Sequence, residues 1–271
     1  MQSLQQKNYS PGTINLHLEK LHALFNVGIS EQKFGIKQNP FAHIRLRRGN
    51  DLLVVRKRPF TSQQIVMILE NCDAGSEFEL ITRVLAFHGC RSSEVCQLTT
   101  EDVQQLHGIW VMQIHAGNGS LKNASAIREL PVHAKCRTAL LAQRRRVLQA
   151  NANEQVLAPN GHPWLFPRTV CRRPGAVRGH DFQLEFGRML RRIGIADRAL
   201  SQHSLRHSFR DLCREAEMPE DISRLIMGHS LGRGDHGATY GVGVSLRKRS
   251  EWLNKINPTK SSRTKKYARS S

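Results

Sequence analysis

Residues 203–209 read HSLRHSF, and their spacing predicts the start of a helix that carries two different chemistries on one face. On a helix, His203 lies beside Arg206 at i+3 and beside His207 at i+4. A planar guanidinium binds two phosphate oxygens at once, and an imidazole exchanges a proton near neutral pH, so the pair suits an anionic substrate. A solvated helix face is the better interpretation of an isolated H-x-x-R pattern, so the neighbouring motifs decide.

Four other short motifs occur along the chain. FHGCRSSEVCQL places an arginine at a helix start with an acid three residues later, Arg91 and Glu94. LKNASAIRELPV places Lys122 ahead of an R-x-x-P strand. MGHS contains a later histidine, His229, and ATYG contains Tyr240, one of three tyrosines. Five motifs in this order over about 150 residues are far more specific than any one of them, and they resemble the motifs of the tyrosine recombinase (phage integrase) family.

The resemblance implies a set of catalytic residues. The set is Arg91, Lys122, His203, Arg206, His229 and Tyr240, with Glu94 and His207 in support. The two arginines and the later histidine would contact the scissile phosphate, and His203 is the candidate acid/base for the attacking phenol. Tyr240 would attack to form a 3′-phosphotyrosyl link, while Lys122 would protonate the departing 5′ oxygen. The reaction then requires no cofactor, no ATP and no metal ion.

A competing motif lies at residues 228–232, GHSLG, which matches the G-x-S-x-G nucleophile elbow of serine hydrolases. An elbow needs a strand before the serine and a helix after it. The preceding PEDISRLIM instead has helical periodicity, and Gly228 suits the residue that ends such a helix. The only histidine downstream is His236, six residues after Ser230. A serine hydrolase is therefore disfavoured.

Composition points to a polyanionic partner. Lys and Arg number 41 against 22 Asp and Glu, which gives a formal charge of +19. A strongly basic protein accumulates polyanions, and duplex DNA is the densest common one. The chain has no apolar run near the length of a membrane span and no signal-type N-terminus, so we expect no membrane partner.

Metal and redox chemistry are not indicated. The six cysteines are scattered without a C-x-x-C pair, and we interpret them as reduced, mostly buried thiols of a cytoplasmic, nucleoid-associated protein. The thirteen histidines include no H-E-x-x-H pattern.

Periodicity predicts helices, the first over residues 10–29, then a small antiparallel sheet with strands over residues 108–115 and 127–133, then helices again. The fold class is therefore mainly α with a small antiparallel β-sheet (α+β), and the resemblance implies a tyrosine recombinase catalytic fold preceded by a short helical DNA-binding region. We expect a partial core-binding region and linker over residues 1–57 and the catalytic domain over 58–257. A basic tail, expected to be disordered, would cover 258–271.

The predicted function is site-specific recombination of double-stranded DNA, for integration or excision of a mobile element such as a prophage. The resemblance implies a homotetramer in the synaptic complex and accessory directionality or bending proteins. Three alternatives stay open: an inactive DNA-binding integrase remnant, a type IB topoisomerase, and the disfavoured serine hydrolase.

Overall fold

A computed structural model describes residues 9, 11–31, 35–46, 57–119, 126–169, 177–229 and 244–260. The chain forms two compact units, Met1–Val55 and Arg56–Ser271. The helices are α1 Pro11–Ser30, α2 Ser62–Glu70, α3 Glu77–His88, α4 Ser92–Cys96, α5 Ala134–Gln149, α6 His180–Arg192, α7 Gln202–Glu215, α8 Glu220–Met227 and α9 Leu246–Leu253. The strands are β1 Val103–Leu106, β2 Ile109–Ile114 and β3 Arg128–Pro131. The predicted fold class, mainly α with a small antiparallel sheet, is confirmed.

The described part of the first unit contains α1 and a segment, residues 35–46, that packs back against it. The Asn15 side chain donates to the Leu46 carbonyl at 3.0 Å and accepts from the Leu46 N–H at 2.9 Å, as a strand partner would. The rings of Phe25 and Phe41 pack at a tilt of 59°, with 5.1 Å between their centroids. The helix predicted over residues 10–29 is thus present.

The sheet is a three-stranded antiparallel meander in the order β1-β2-β3. Sequence analysis predicted β2 and β3 but not β1. In β1 only Val103 is buried, so the strand lacks the alternation that identifies a half-buried strand. A two-residue turn, His107 and Gly108, joins it to β2, and both residues have positive φ, as a tight hairpin with right-handed strand twist requires.

The core of the second unit is built around α3, which is buried on nearly all sides. Helix α7 packs across it with Leu205 and Phe209 fully buried. Gly89, which ends α3, adopts φ 62°, and a Cβ at this position would collide with the Phe209 ring. Glycine here therefore permits the end of α3 to lie directly against α7. None of the helices in the described part of the chain is both long and apolar enough to cross a bilayer.

Two buried histidines connect α3 to the C-terminal part of the unit. His88 Nδ1 donates to the Val84 carbonyl, and its Nε2 accepts from the His133 backbone N–H at 2.9 Å. His133 Nε2 in turn donates to the Ile256 carbonyl at 3.0 Å. Burial lowers the pKa of His88 from 6.5 to about 3 and that of His133 to about 4. Both rings are therefore neutral when they make these bonds.

The buried histidines predict acid lability. Because the folded-state pKa of each lies below the ordinary 6.5, its stabilising contribution is complete above that pH and is lost as the pH falls toward 4 and 3. We expect each histidine to lower the free energy of unfolding by about 1.4 kcal/mol per pH unit in that window. Urea unfolding at pH 7, 6 and 5 measures the slope. In His88→Gln the free energy of unfolding should fall less steeply with falling pH than in the wild type, whereas in His162→Gln, at an exposed position, it should fall as steeply. The same slope in His88→Gln as in the wild type would refute the interpretation.

Candidate active site

The loop between α3 and α4 positions Arg91. Arg91 is the N-cap residue of α4, and its backbone N–H donates to Glu94 Oε2 at 3.1 Å. Its Nη1 also donates to Glu94 Oε1 at 2.6 Å. The Arg91 side chain is 20% exposed whereas that of Glu94 is 1% exposed. The glutamate therefore holds the partly exposed arginine in a fixed direction. A supporting role for Glu94 in catalysis stays a prediction.

Arg206 lies on the first turns of α7 and is 4% exposed, so it does not belong to a solvated helix face. Its Nη1 donates to the Gly89 carbonyl at 2.5 Å, two residues before Arg91. Its Nη2 donates to the Met227 carbonyl and to His229 Nε2, each at 2.7 Å. One guanidinium therefore joins the loop that carries Arg91 to the turn that carries His229.

His229 is positioned by the end of α8. The predicted helix stop at Gly228 is present, with φ 66° in the left-handed region. After this turn His229 is half-buried with Nε2 toward Arg206. Burial first, and then the charges of Arg206, Arg210 and Arg91, together lower the pKa of His229 from 6.5 to about 4. The ring is therefore neutral at pH 7 and, because Nε2 accepts, carries its proton on Nδ1.

Arg128, the first residue of β3, joins the site and was not among the predicted residues. Its Nη2 donates to Glu94 Oε2 at 2.9 Å, and its Nε donates to the Ile226 carbonyl at 2.9 Å. Its side chain is only 6% exposed. Arg128 is the arginine of the R-x-x-P pattern, which indicated a strand here but gave this side chain neither a partner nor a role.

The charges around Glu94 do not balance. Burial alone raises the pKa of Glu94, but the charge and hydrogen bond of Arg128 and the hydrogen bonds from Arg91 outweigh it, so the net pKa is lowered. Burial, then the charge of Arg91, lowers the pKa of Arg206 to about 10, which leaves it protonated at neutral pH. Two guanidinium groups, those of Arg91 and Arg128, bond to the Glu94 carboxylate, and the charge of Arg206 interacts with it electrostatically. Three positive charges therefore face one negative charge, and the excess suits a bound anion.

Of the remaining predicted residues, the structure describes His203 and His207 but not Lys122 and Tyr240. His203 is exposed at the start of α7, and its ring meets that of His207 edge to face at 5.1 Å between centroids. Lys122 and Tyr240 lie outside the described residues, as does Ser230. The structure thus brings together Arg91, Glu94, Arg206 and His229, with Arg128 added.

The base of the hairpin that contains Lys122 is held by a buried carboxylate. Asp102 accepts from His115 Nε2 at 2.5 Å and from the Thr99 N–H at 2.7 Å. His115 Nδ1 in turn accepts from the Gly117 N–H at 3.0 Å. These bonds fix the chain where it leaves β2.

Within the described ranges, no group of three or more His, Cys, Asp or Glu is arranged to hold a metal ion.

Glu94→Ala tests the electrostatic centre of the site. The change leaves the partly buried Arg91 and the largely buried Arg128 without their shared carboxylate, and breaking a buried ion pair typically costs about 3–5 kcal/mol. We expect a loss of this size in the free energy of unfolding, measured by urea denaturation at pH 7. Glu101→Ala, which removes a half-exposed partner of Arg144, should change it by less than about 1 kcal/mol. Similar losses in both variants would contradict the assignment.

The phage integrase family model matches residues 58–233, more than half of the chain. The match ends before Tyr240. It includes Glu94 and the hydrogen-bonded residues around it, Arg91, Arg128, Arg206 and His229. No curated protein matches the chain at a significant level.

Solved structures share the fold. The Tn1549 transposon integrase in complex with circular intermediate DNA superposes with a TM-score of 0.59 and 20% identity, over 91% of this chain and 80% of that one. The integrase from mycobacterium phage Brujita gives 0.50 and 17%, over 95% and 76%. The XerH site-specific recombinase bound to palindromic difH substrate gives 0.53 and 18%, over 94% and 67%.

The family match covers the loop of Arg91, the helix of Arg206 and the turn of His229, which are the segments that the geometry joins into one cationic site. The chain therefore belongs to the phage integrase family, the tyrosine site-specific recombinases.

Proposed function

We propose that the arginine site binds the scissile phosphate of double-stranded DNA and that Tyr240 cleaves it to form a 3′-phosphotyrosyl link. The observation that carries the proposal is the hydrogen-bonding of Arg206, which joins the Arg91 loop to His229 and leaves Arg91 at the surface. The formal charge of +19 supports a DNA partner, as do the DNA complexes of the Tn1549 integrase and XerH.

The proposed cleavage step forms one bond to phosphorus and breaks another. The Tyr240 oxygen forms a bond to phosphorus as its proton passes to His203, and the bond from phosphorus to the 5′ oxygen breaks. Lys122 gives a proton to that oxygen. Arg91 and Arg206 stabilise the additional negative charge of the five-coordinate transition state, where preorganised donors have their largest effect.

His229 is proposed to bind the phosphate, and the strand is then rejoined by the reverse of the cleavage step. The Nδ1 proton of His229 is available for a hydrogen bond to a phosphate oxygen, since Nε2 already accepts from Arg206. The phosphotyrosyl link keeps the energy of the broken bond, so the 5′ hydroxyl of a second strand can reverse the step without ATP. Exchange between two DNA sites follows when the second strand comes from the other site.

The wider function and the division of the chain belong to the same proposal. We place a partial core-binding region and linker in residues 1–57, the catalytic domain in 58–257, and a phosphate-attracted basic tail in 258–271. The recombinase would act as a homotetramer at specific sites with accessory directionality or bending proteins, in the cytoplasm on the nucleoid. The names of the transposon and phage integrases support integration or excision of a mobile element such as a prophage.

The proposal is tested with DNA duplexes selected for binding from a randomised pool. A selected duplex, nicked in turn at each position of one strand, lets a short 5′-hydroxyl fragment diffuse away after cleavage and so traps the covalent intermediate. We expect a protein–DNA adduct that forms in the presence of a chelator and that peptide mapping assigns to Tyr240. Binding without any adduct on any nicked duplex would indicate an inactive remnant. Relaxation of supercoils without sequence preference would indicate a topoisomerase.

A further inference from the structure

Arg128 contacts three separate parts of the second unit. Its Nη2 donates to Glu94 on α4, and its Nε donates to the Ile226 carbonyl on α8, each at 2.9 Å. Its Nη1 donates to the Ala126 carbonyl at 2.7 Å, on the chain leading into β3. Five donors in a rigid plane make arginine suited to such a junction, and lysine has no equivalent geometry.

On one side, Arg128 fixes the carboxylate that directs Arg91. Glu94 is 1% exposed, and its Oε2 accepts from Arg128 Nη2 while its Oε1 accepts from Arg91 Nη1. Without Arg128, burial would favour the protonated form of Glu94, and the carboxyl group would lose the bond that sets its plane. The direction of Arg91 therefore depends on a residue that does not contact it.

On the other side, Arg128 supports the turn that carries His229. It binds the Ile226 carbonyl near the end of α8, two residues before Gly228. The backbone of Gly228 passes so close that a Cβ there would lie 2.5 Å from Arg128 Nη1. The guanidinium plane is thus the surface against which the chain turns toward Arg206.

We infer that Arg128 is a positioning residue for DNA strand cleavage, holding the Glu94 carboxylate and the end of α8 so that Arg91, Arg206 and His229 meet one phosphate. The inference rests on the proposed function, because it assumes that these three residues bind the scissile phosphate. Arg128 itself need not touch DNA, since its side chain is 6% exposed.

The test compares two substrates in single-turnover cleavage at saturating DNA. One is the selected nicked duplex, and the other carries a methylphosphonate at the scissile position. The methyl group removes one negative charge, so the arginines have less charge to stabilise. A variant that lowers only the folded fraction slows both substrates equally, whereas one that misplaces the arginines slows the charged substrate more.

For Arg128→Met we expect cleavage of the charged duplex to fall about 100-fold, the scale of a misplacement near 1 Å, with little change in the Kd for DNA. The deficit should be at least about tenfold smaller on the methylphosphonate. Arg128→Lys, which keeps a charge beside Glu94 but not the plane, should also be slow. The double variant Glu94→Gln with Arg128→Met leaves no unpaired carboxylate and should cleave as slowly as Arg128→Met, even if the single variant folds poorly.

Arg144→Met is the matched control. Arg144 also donates to a carbonyl, that of Thr100 at 2.7 Å, and pairs with Glu101, but it bonds to none of the site residues that the structure describes. It should cleave both substrates at the wild-type rate. Arg91→Ala separates the two hypotheses: if its own deficit does not shrink on the methylphosphonate, the proposed function fails. If Arg91→Ala responds but every Arg128 variant cleaves at the wild-type rate, or is slowed equally on both substrates, the inference about Arg128 is overturned.

Discussion

Tyr240→Phe is expected to abolish the covalent protein–DNA adduct while leaving binding to the selected duplex unchanged. The phenol oxygen is the only atom of this side chain that can form a bond to phosphorus, and phenylalanine keeps the ring without it. Removal of the nucleophile from a covalent catalyst reduces turnover by at least about 10⁴-fold, so no adduct should be visible. The measurement is gel separation of labelled nicked duplex after denaturation, with filter binding for affinity.

The chain offers close controls for this experiment. Its other tyrosines are Tyr9 and Tyr267, and Tyr9→Phe and Tyr267→Phe should both form the adduct at the wild-type rate. Ser230→Ala should also form it, because the preceding α8 is a helix and not the strand that a serine elbow requires. An adduct that persists in Tyr240→Phe and disappears in one of these variants would assign the nucleophile to that residue and refute the proposed mechanism.

Local signals in the sequence predicted the helices and the turn at Gly228 because each depends on residues close in the chain. Leu205 and Phe209 mark the core face of α7, and Gly228 ends α8 in the left-handed conformation that glycine adopts most readily. The order of the five motifs predicted the family for a different reason: independent short patterns rarely occur by chance in one fixed order. The motifs by themselves did not show which of their side chains lie close together, and only the resemblance to the family implied it.

What sequence analysis missed depends on contacts between distant segments. Strand β1 is mostly polar on its exposed side, and its pairing with β2 identifies it. Arg128 is 34 residues from Glu94 and 98 from Ile226, so nothing in its neighbourhood indicates its partners. The burial of Arg206 depends likewise on Gly89, 117 residues away, which permits α3 to end against α7.

Arg206→Ala is the second change for which we expect a large effect. It removes a guanidinium from the phosphate site and leaves the Gly89 and Met227 carbonyls and His229 Nε2 without their donor. Loss of one preorganised charge-stabilising donor typically reduces the rate by about 10²–10³-fold, and we expect at least this reduction in single-turnover cleavage of the charged duplex. Arg206→Lys should recover little, because one ammonium cannot reach two carbonyls and the imidazole in the same geometry.

The same variant has a signature that does not depend on catalysis. The charge of Arg206 is the second cause, after burial, of the lowered pKa of His229. In Arg206→Ala the pKa of His229 should therefore rise from about 4 toward the ordinary 6.5 and stay below it, because burial still disfavours the imidazolium. NMR titration of the His229 ring measures this directly.

Arg214→Ala is the control on the same helix, since Arg214 is 61% exposed and pairs only with Asp211 among the described residues. It should alter neither the cleavage rate at saturating DNA nor the pKa of His229. If Arg206→Ala slows cleavage but leaves the pKa of His229 unchanged, the two side chains are not in contact in solution, and Arg206 acts without joining the Arg91 loop to the His229 turn. If the pKa of His229 rises and cleavage is unaffected, the contact exists but the phosphate is bound elsewhere. Only the two effects together support one site in which the guanidinium both binds the phosphate and holds its neighbours.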